Sequence, residues 1–93
     1  MKNIKKISIN YDKDADVLYI SFGKARPAVS IELEEGTLVR IDPFTQQIVG
    51  ITIIDFAHKH MQKEKKNVKD TVTKIVPRIL DDYKTYLKEN QIH

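Results

Sequence analysis

Apolar and polar residues alternate through the first half of the chain. Ile7, Ile9 and Tyr11 alternate with Lys6, Ser8 and Asn10, and Leu18, Ile20 and Phe22 with Val17, Tyr19 and Ser21. Val29, Ile31 and Leu33 are spaced by Ser30 and Glu32, and Val39 and Ile41 by Leu38, Arg40 and Asp42. Val49, Ile51 and Ile53 alternate with Ile48, Gly50, Thr52 and Ile54. Successive side chains of a strand point to opposite faces, so each run reads as a β-strand, and their β-branched content agrees. The runs 17–22 and 48–54 are apolar on much of both faces, which places them centrally or under cover on both sides.

The breaks between the runs carry turn chemistry. Asp12, Asp14 and Asp16 have side chains that bond their own backbone, Gly23 and Pro27 bracket the second break, Gly36 allows positive φ, and Asp42-Pro43 opens a turn. Each connection is about 3–5 residues, too short for a crossover helix, so neighbouring strands are expected to be antiparallel. The expected first half is a five-stranded antiparallel β-meander.

Beyond Asp55 the period changes. Val68, Val72, Ile75, Val76, Ile79, Leu80, Tyr83, Tyr86 and Leu87 recur in steps of three and four, the stripe of an amphipathic helix. Asn67 is placed to cap it, with Asp70 in its first turn. Asp55 is placed to cap a shorter helix before it. Pro77 has no N–H and disfavours α geometry at Val76, so a kink or break is expected there. The whole is expected to be an α+β fold, a single domain over 1–93, with the β-meander in 1–54 and C-terminal helices in 55–93 packed on one face. A straight helix over 68–89 would be roughly 33 Å long, against ~20–23 Å for strands of this length.

Composition narrows the class. The chain has 93 residues and no cysteine, so neither a disulfide nor a thiolate site is available, which fits a cytoplasmic setting. No signal peptide is expected from the charged N-terminus, and no stretch approaches the ~18 apolar residues of a membrane span. The apolar and charged fractions, 41% and 31%, are those of a globular protein. The net charge of +3 lies entirely in the second half: seven Lys/Arg balance seven Asp/Glu up to Ile54, and nine face six after it. Lys59, Lys63, Lys65, Lys66 and Lys69 form the basic segment, with Glu64 alone against them.

Tyr11-Asp12-Lys13-Asp14-Ala15-Asp16-Val17-Leu18-Tyr19-Ile20 resembles the opening of the Domain of Unknown Function 2283 family, which reads Tyr-Asp, two variable residues, Ala-Asp, then an apolar-Leu-Tyr-Ile strand. Gly36 to Asp42 and Ile48 to Asp55 are similar to its last two strands. The resemblance covers about residues 7–57; the basic and helical tail departs from the family's short ending. It implies a small bacterial or archaeal protein with a β-rich fold. It also implies an antitoxin-like role with a toxin-like partner, because some members lie beside toxin-like genes. It carries no catalytic residues.

The motifs that carry chemistry fail on spacing. Asp12, Asp14 and Asp16 start like a calcium loop, but its sixth and twelfth positions hold Val17 and Gly23 where Gly and Glu are needed, so a capped turn is the better reading. His58 and His60 stand two apart on a helix and do not face one another. No serine sits in a nucleophile elbow, and isolated glycines build no phosphate loop. No cofactor or metal is expected, and no constellation of nucleophile, base and orienter suggests an enzyme. Two surfaces remain. Ile79, Leu80, Tyr83, Tyr86 and Leu87 form an apolar patch that suits either the core or a partner. Lys59, Lys63, Lys65, Lys66 and Lys69 suit a solvated helix or, as the alternative function, a nucleic-acid contact. The reading favoured is a non-enzymatic protein-interaction module, self-associating as a dimer, that binds through the helical tail or an edge strand.

Overall fold

The computed structural model describes residues 6–24, 26–61 and 67–90. The chain divides into two compact units, Met1–Phe56 and Ala57–His93. The first unit holds β1 (Ile7–Asp12), β2 (Val17–Phe22), β3 (Val29–Glu34), β4 (Thr37–Ile41) and β5 (Ile48–Ile54), all antiparallel in one sheet. Two helices follow, α1 (Phe56–His60) and α2 (Val68–Glu89). The α+β class and the five antiparallel strands are those expected.

The strand order is not that of a meander. It runs β1-β2-β5-β4-β3, so β5 pairs with both β2 and β4 and lies in the middle. The physical reason is the composition of β5. At a sheet edge its outer backbone would be unpaired and its apolar faces open, whereas in the centre Val49, Ile51 and Ile53 are buried. β2 and β3 are therefore not neighbours, and the link between Phe22 and Val29 has to span β5 and β4. That is three strand spacings, about 14 Å, well within reach of six extended residues.

The register assigns the two faces. Leu18 and Ile20 of β2, Ile51 and Ile53 of β5, and Thr37 and Val39 of β4 lie in cross-strand rows on one side and are all buried. The other side is mixed. One row there is Asn10–Tyr19–Thr52–Leu38–Glu32, and the next is Ser8–Ser21–Gly50–Arg40–Ser30.

The turns use the residues whose chemistry marked them. The Asp12 carboxylate accepts from the Ala15 N–H at 3.1 Å, and Asp16 closes that turn in the left-handed region at φ 57°. Gly36 has φ 83°. The Asp42 carboxylate accepts from the N–H groups of Phe44 and Thr45 at 2.7 and 3.3 Å, in the manner of an Asx turn. Asp55 also sits at positive φ, 59°, so it turns the chain into α1 rather than capping it from extended backbone.

In the second unit, the Asn67 side chain accepts from the Asp70 N–H at 2.7 Å and caps α2. At the other end, the Asn90 side chain donates to the Tyr86 carbonyl at 2.9 Å. Of the kink or break expected at Pro77, the break does not occur: α2 is one element from Val68 to Glu89 with Pro77 inside it. Proline removes a single intrahelical donor, and Pro77 is exposed, so its ring meets solvent. The buried stripe Val72, Ile75, Ile79, Tyr83 keeps steps of three and four across the proline, so both halves present one line.

Candidate functional site

The two edges of the sheet differ. β3 carries Glu32 and Glu34, and its register with β4 shifts between them; charge and a bulge are both devices that discourage further pairing. β1 has neither. Its register with β2 is unbroken from Ile7 to Asp12, it holds no proline, and only Asp12 within it is charged. The Gly23 N–H donates to the Lys6 carbonyl at 2.7 Å, which makes Lys6–Gly23 a hydrogen-bonded pair. Such pairs recur every second residue, so Ser8, Asn10 and Asp12 point their backbone groups at β2. The N–H and C=O groups of Ile7, Ile9 and Tyr11 therefore point away from the sheet. The Ile7 and Ile9 side chains are 59% and 41% exposed.

Tyr11 anchors the far end of this strand. Its hydroxyl donates to the Asp16 carboxylate at 2.6 Å, and its ring meets Phe56 edge-on at a centroid distance of 5.6 Å. The bond to Asp16, then partial burial and the nearby charges of Asp16 and Asp12, raise the phenol above its ordinary pKa.

The mixed face carries two chemistries. Val17 lies directly across from Ile54, and Tyr19 shares a row with Leu38, so the large apolar side chains of this face stand at the end nearer the Asp12 turn, beside Asn10, Thr52 and Glu32. The opposite end holds an open cavity of ≈ 270 Å³ lined by Ser8, Ser21, Gly23, Lys24, Arg26, Arg40 and Val49. Arg40 reaches across β5 from β4. Its Nη1 and Cδ would stand 3.0 and 3.7 Å from a Cβ added to Gly50, so the side chain occupies the room that glycine leaves. Among the described residues no carboxylate pairs with Arg40 or Lys24, whereas Arg26 approaches Asp42 at 3.8 Å. The backbone N–H of Phe44 is the main cause that holds the Asp42 carboxyl below its usual range, and Arg26 adds to it.

Of the residues singled out on the helical tail, Ile79 and Tyr83 are buried. Leu80, Tyr86 and Leu87 are half-buried, and Tyr86 stacks on Tyr83 at 6.4 Å. Lys59 and Lys69 are exposed; Lys63, Lys65 and Lys66 lie outside the described residues. Among the described residues no three His, Cys, Asp or Glu gather as a metal-holding group, and no helix is long and apolar enough to cross a membrane.

The cationic cavity escaped sequence reasoning because its members lie far apart along the chain and meet only through the strand order. The available signal was Gly50, a glycine inside an otherwise apolar strand, which marks close approach by another group.

Comparison with the curated proteins and with the solved structures finds no match. The family model described as Protein of unknown function (DUF2283) matches residues 8–56, which end where the first compact unit ends. That match spans more than half of the chain, and this protein belongs to the DUF2283 family.

Proposed function

We propose that this protein is a non-enzymatic interaction module that associates through the open edge of β1, and that the strand it receives is β1 of a second copy. The observation that carries the reading is the contrast between the edges: β3 is charged and bulged, β1 is regular, exposed and nearly uncharged. A regular unpaired edge is a template for strand addition, with backbone bonds supplying affinity.

β1 is complementary to itself in one register. A two-fold axis through Ile9, perpendicular to the sheet, sets Ile9 against Ile9 of the other copy and Ile7 against Tyr11. That pairing matches the outward backbone groups of Ile7, Ile9 and Tyr11 donor to acceptor, and it keeps the apolar faces of the two sheets on the same side. Few side chains are buried by it, and association offsets several kcal/mol of lost freedom, on the order of 4–15 kcal/mol. The dimer is therefore concentration-dependent.

The test is light scattering or sedimentation across concentration, with Ile9→Pro as the discriminating variant. The N–H of Ile9 faces outward, so proline there removes a donor from the free edge and leaves the β1–β2 ladder intact. The wild-type chain is expected to dimerise and Ile9→Pro to stay monomeric with unchanged circular dichroism. The chain has no cysteine, so Ile9→Cys supplies a unique thiol that should cross-link on oxidation, while Val29→Cys on the β3 edge should not. A strictly monomeric wild-type chain refutes the homotypic reading and returns the edge to a strand of another protein, such as the toxin-like partner the family resemblance implies.

A further inference from the structure

We propose that the cavity beside Arg40 is a binding site for the phosphate group of a small phosphorylated molecule. The juxtaposition on which this rests is made by the strand order. Ser8, Ser21, Gly50 and Arg40 form one row across β1, β2, β5 and β4, and the connection from β2 to β3 brings Lys24 and Arg26 to the same end of the sheet.

The chemistry is that of an oxyanion site. Among the described residues, Lys24, Arg26 and Arg40 line the cavity and no carboxylate does. Arg40 is the built part. It is half-buried, it lies over a glycine that leaves room for it, and among the described residues it has no anionic partner. A guanidinium in that position presents a planar fork of donors whose charge no carboxylate among the described residues neutralises. Asp42 holds Arg26 from outside the cavity and so places a second guanidinium without lining the site itself. Lys24 adds a mobile point charge, and the Ser8 and Ser21 hydroxyls add neutral donors on the side away from Arg40. Donors on several sides, with a charge surplus of more than one, suit a tetrahedral dianion better than a planar monoanionic carboxylate.

Size and lining decide what carries the phosphate. At ≈ 270 Å³ the cavity lies just under the usual range of small-molecule pockets, about 300–1,000 Å³. Among the described residues no aromatic side chain lines it, so those residues offer a nucleic-acid strand no platform on which to stack bases. A terminal phosphate on a small polar body fits better than a polynucleotide backbone.

The full chain is titrated at constant ionic strength with inorganic phosphate, with glycerol 3-phosphate as a phosphate monoester, with acetate, and with a single-stranded oligonucleotide. Binding is read by calorimetry and by backbone amide shifts. Phosphate and the monoester are expected to bind one per chain in the millimolar range or tighter, with shifts centred on Ser21, Gly23, Lys24 and Arg40. Arg40→Gln should weaken binding by roughly 10-fold or more, as expected for loss of charged hydrogen bonds. Lys24→Gln should weaken it less, and Arg40→Lys should restore part of the affinity. Ile9→Pro should bind like wild type, so this site stands or falls apart from the edge of β1. The proposal is overturned if phosphate and the monoester do not bind at millimolar concentration, or if acetate binds as well as they do. It is equally overturned if a folded Arg40→Gln binds phosphate as the wild type does, or if the oligonucleotide binds while the monoester does not.

Discussion

Replacing Gly50 by alanine tests the packing of the sheet and the seat of Arg40 together. An added methyl would stand 2.9 Å from the carbonyl oxygen of Ile20 and 3.0 Å from Nη1 of Arg40. The two neighbours yield differently. The guanidinium is the far end of a flexible side chain and moves aside at little expense. The Ile20 oxygen belongs to the backbone of β2, paired with β5 on both sides of the contact, and its side chain is fully packed on the buried face. It retreats only if the central β2–β5 pair opens by a few tenths of an ångström. Overpacking of that kind costs about 1–3 kcal/mol, while glycine to alanine in a strand ordinarily gains ~0.5–1 kcal/mol. The net is a loss of about 1 kcal/mol, which in a domain of this size lowers Tm by roughly 4–8 °C. Thermal melts by far-UV circular dichroism, with urea midpoints as a second measure, read this out. Because the end of the Arg40 side chain can yield to the added methyl, Gly50→Ala should cost nearly as much in an Arg40→Ala background as in the wild type. A Gly50→Ala variant as stable as the wild type, or more so, would refute the close approach of β2 and β5 at this point.

Three further substitutions test the helix and the tyrosines. Asn67→Ala removes the side-chain cap of α2 and should destabilise that helix by ~0.5–2 kcal/mol, seen as lost ellipticity and a lower melting point. Pro77→Ala should do the reverse, because an exposed interior proline in a helix stands up to ~3 kcal/mol below alanine; a lower Tm would mean that the proline shapes a packing contact. The Tyr11 phenol is raised above the ordinary tyrosine value of about 10 chiefly by the bond to Asp16, and that of Tyr83 chiefly by burial. A raised folded-state value means that the protonated phenol favours the fold, so the contribution is complete below about pH 10 and is lost as pH climbs through the higher folded values. Tyrosinate absorbance should therefore show late ionisation, and Tyr11→Phe should remove one late step.

Most of the fold was legible along the chain, because alternation reports directly on which side chains are buried. The five strands fall where the apolar positions alternate, the turns use Asp12, Gly36 and Asp42, and the cap at Asn67 is made by the side chain expected to make it. The central place of β5 was readable in its two apolar faces. The strand order was not, because connection length reports on the neighbour in sequence and is silent on a strand inserted later. α2 passed through Pro77 because one missing donor weighs less than a continuous buried stripe. The site was less legible than the fold. Lys24, Arg26 and Arg40 carry no motif, and the tail residues Ile79 and Tyr83, which looked equally suited to core and partner, are buried.

One topological fact accounts for both surfaces. Because β5 returns to the middle of the sheet, β1 keeps β2 as its neighbour, and among the described residues no strand pairs with its outer side. The same return separates β2 from β3, so the link between them must run past the ends of β5 and β4. That path carries Lys24 and Arg26 to the end where Arg40 lies over Gly50. In a sequential meander β5 would be the edge, β2 and β3 would be joined by a hairpin, and no row would place Arg40 beside Ser21 across a glycine. The open edge and the cationic cavity are thus consequences of one choice of strand order, which in turn follows from the need of Val49, Ile51 and Ile53 for cover.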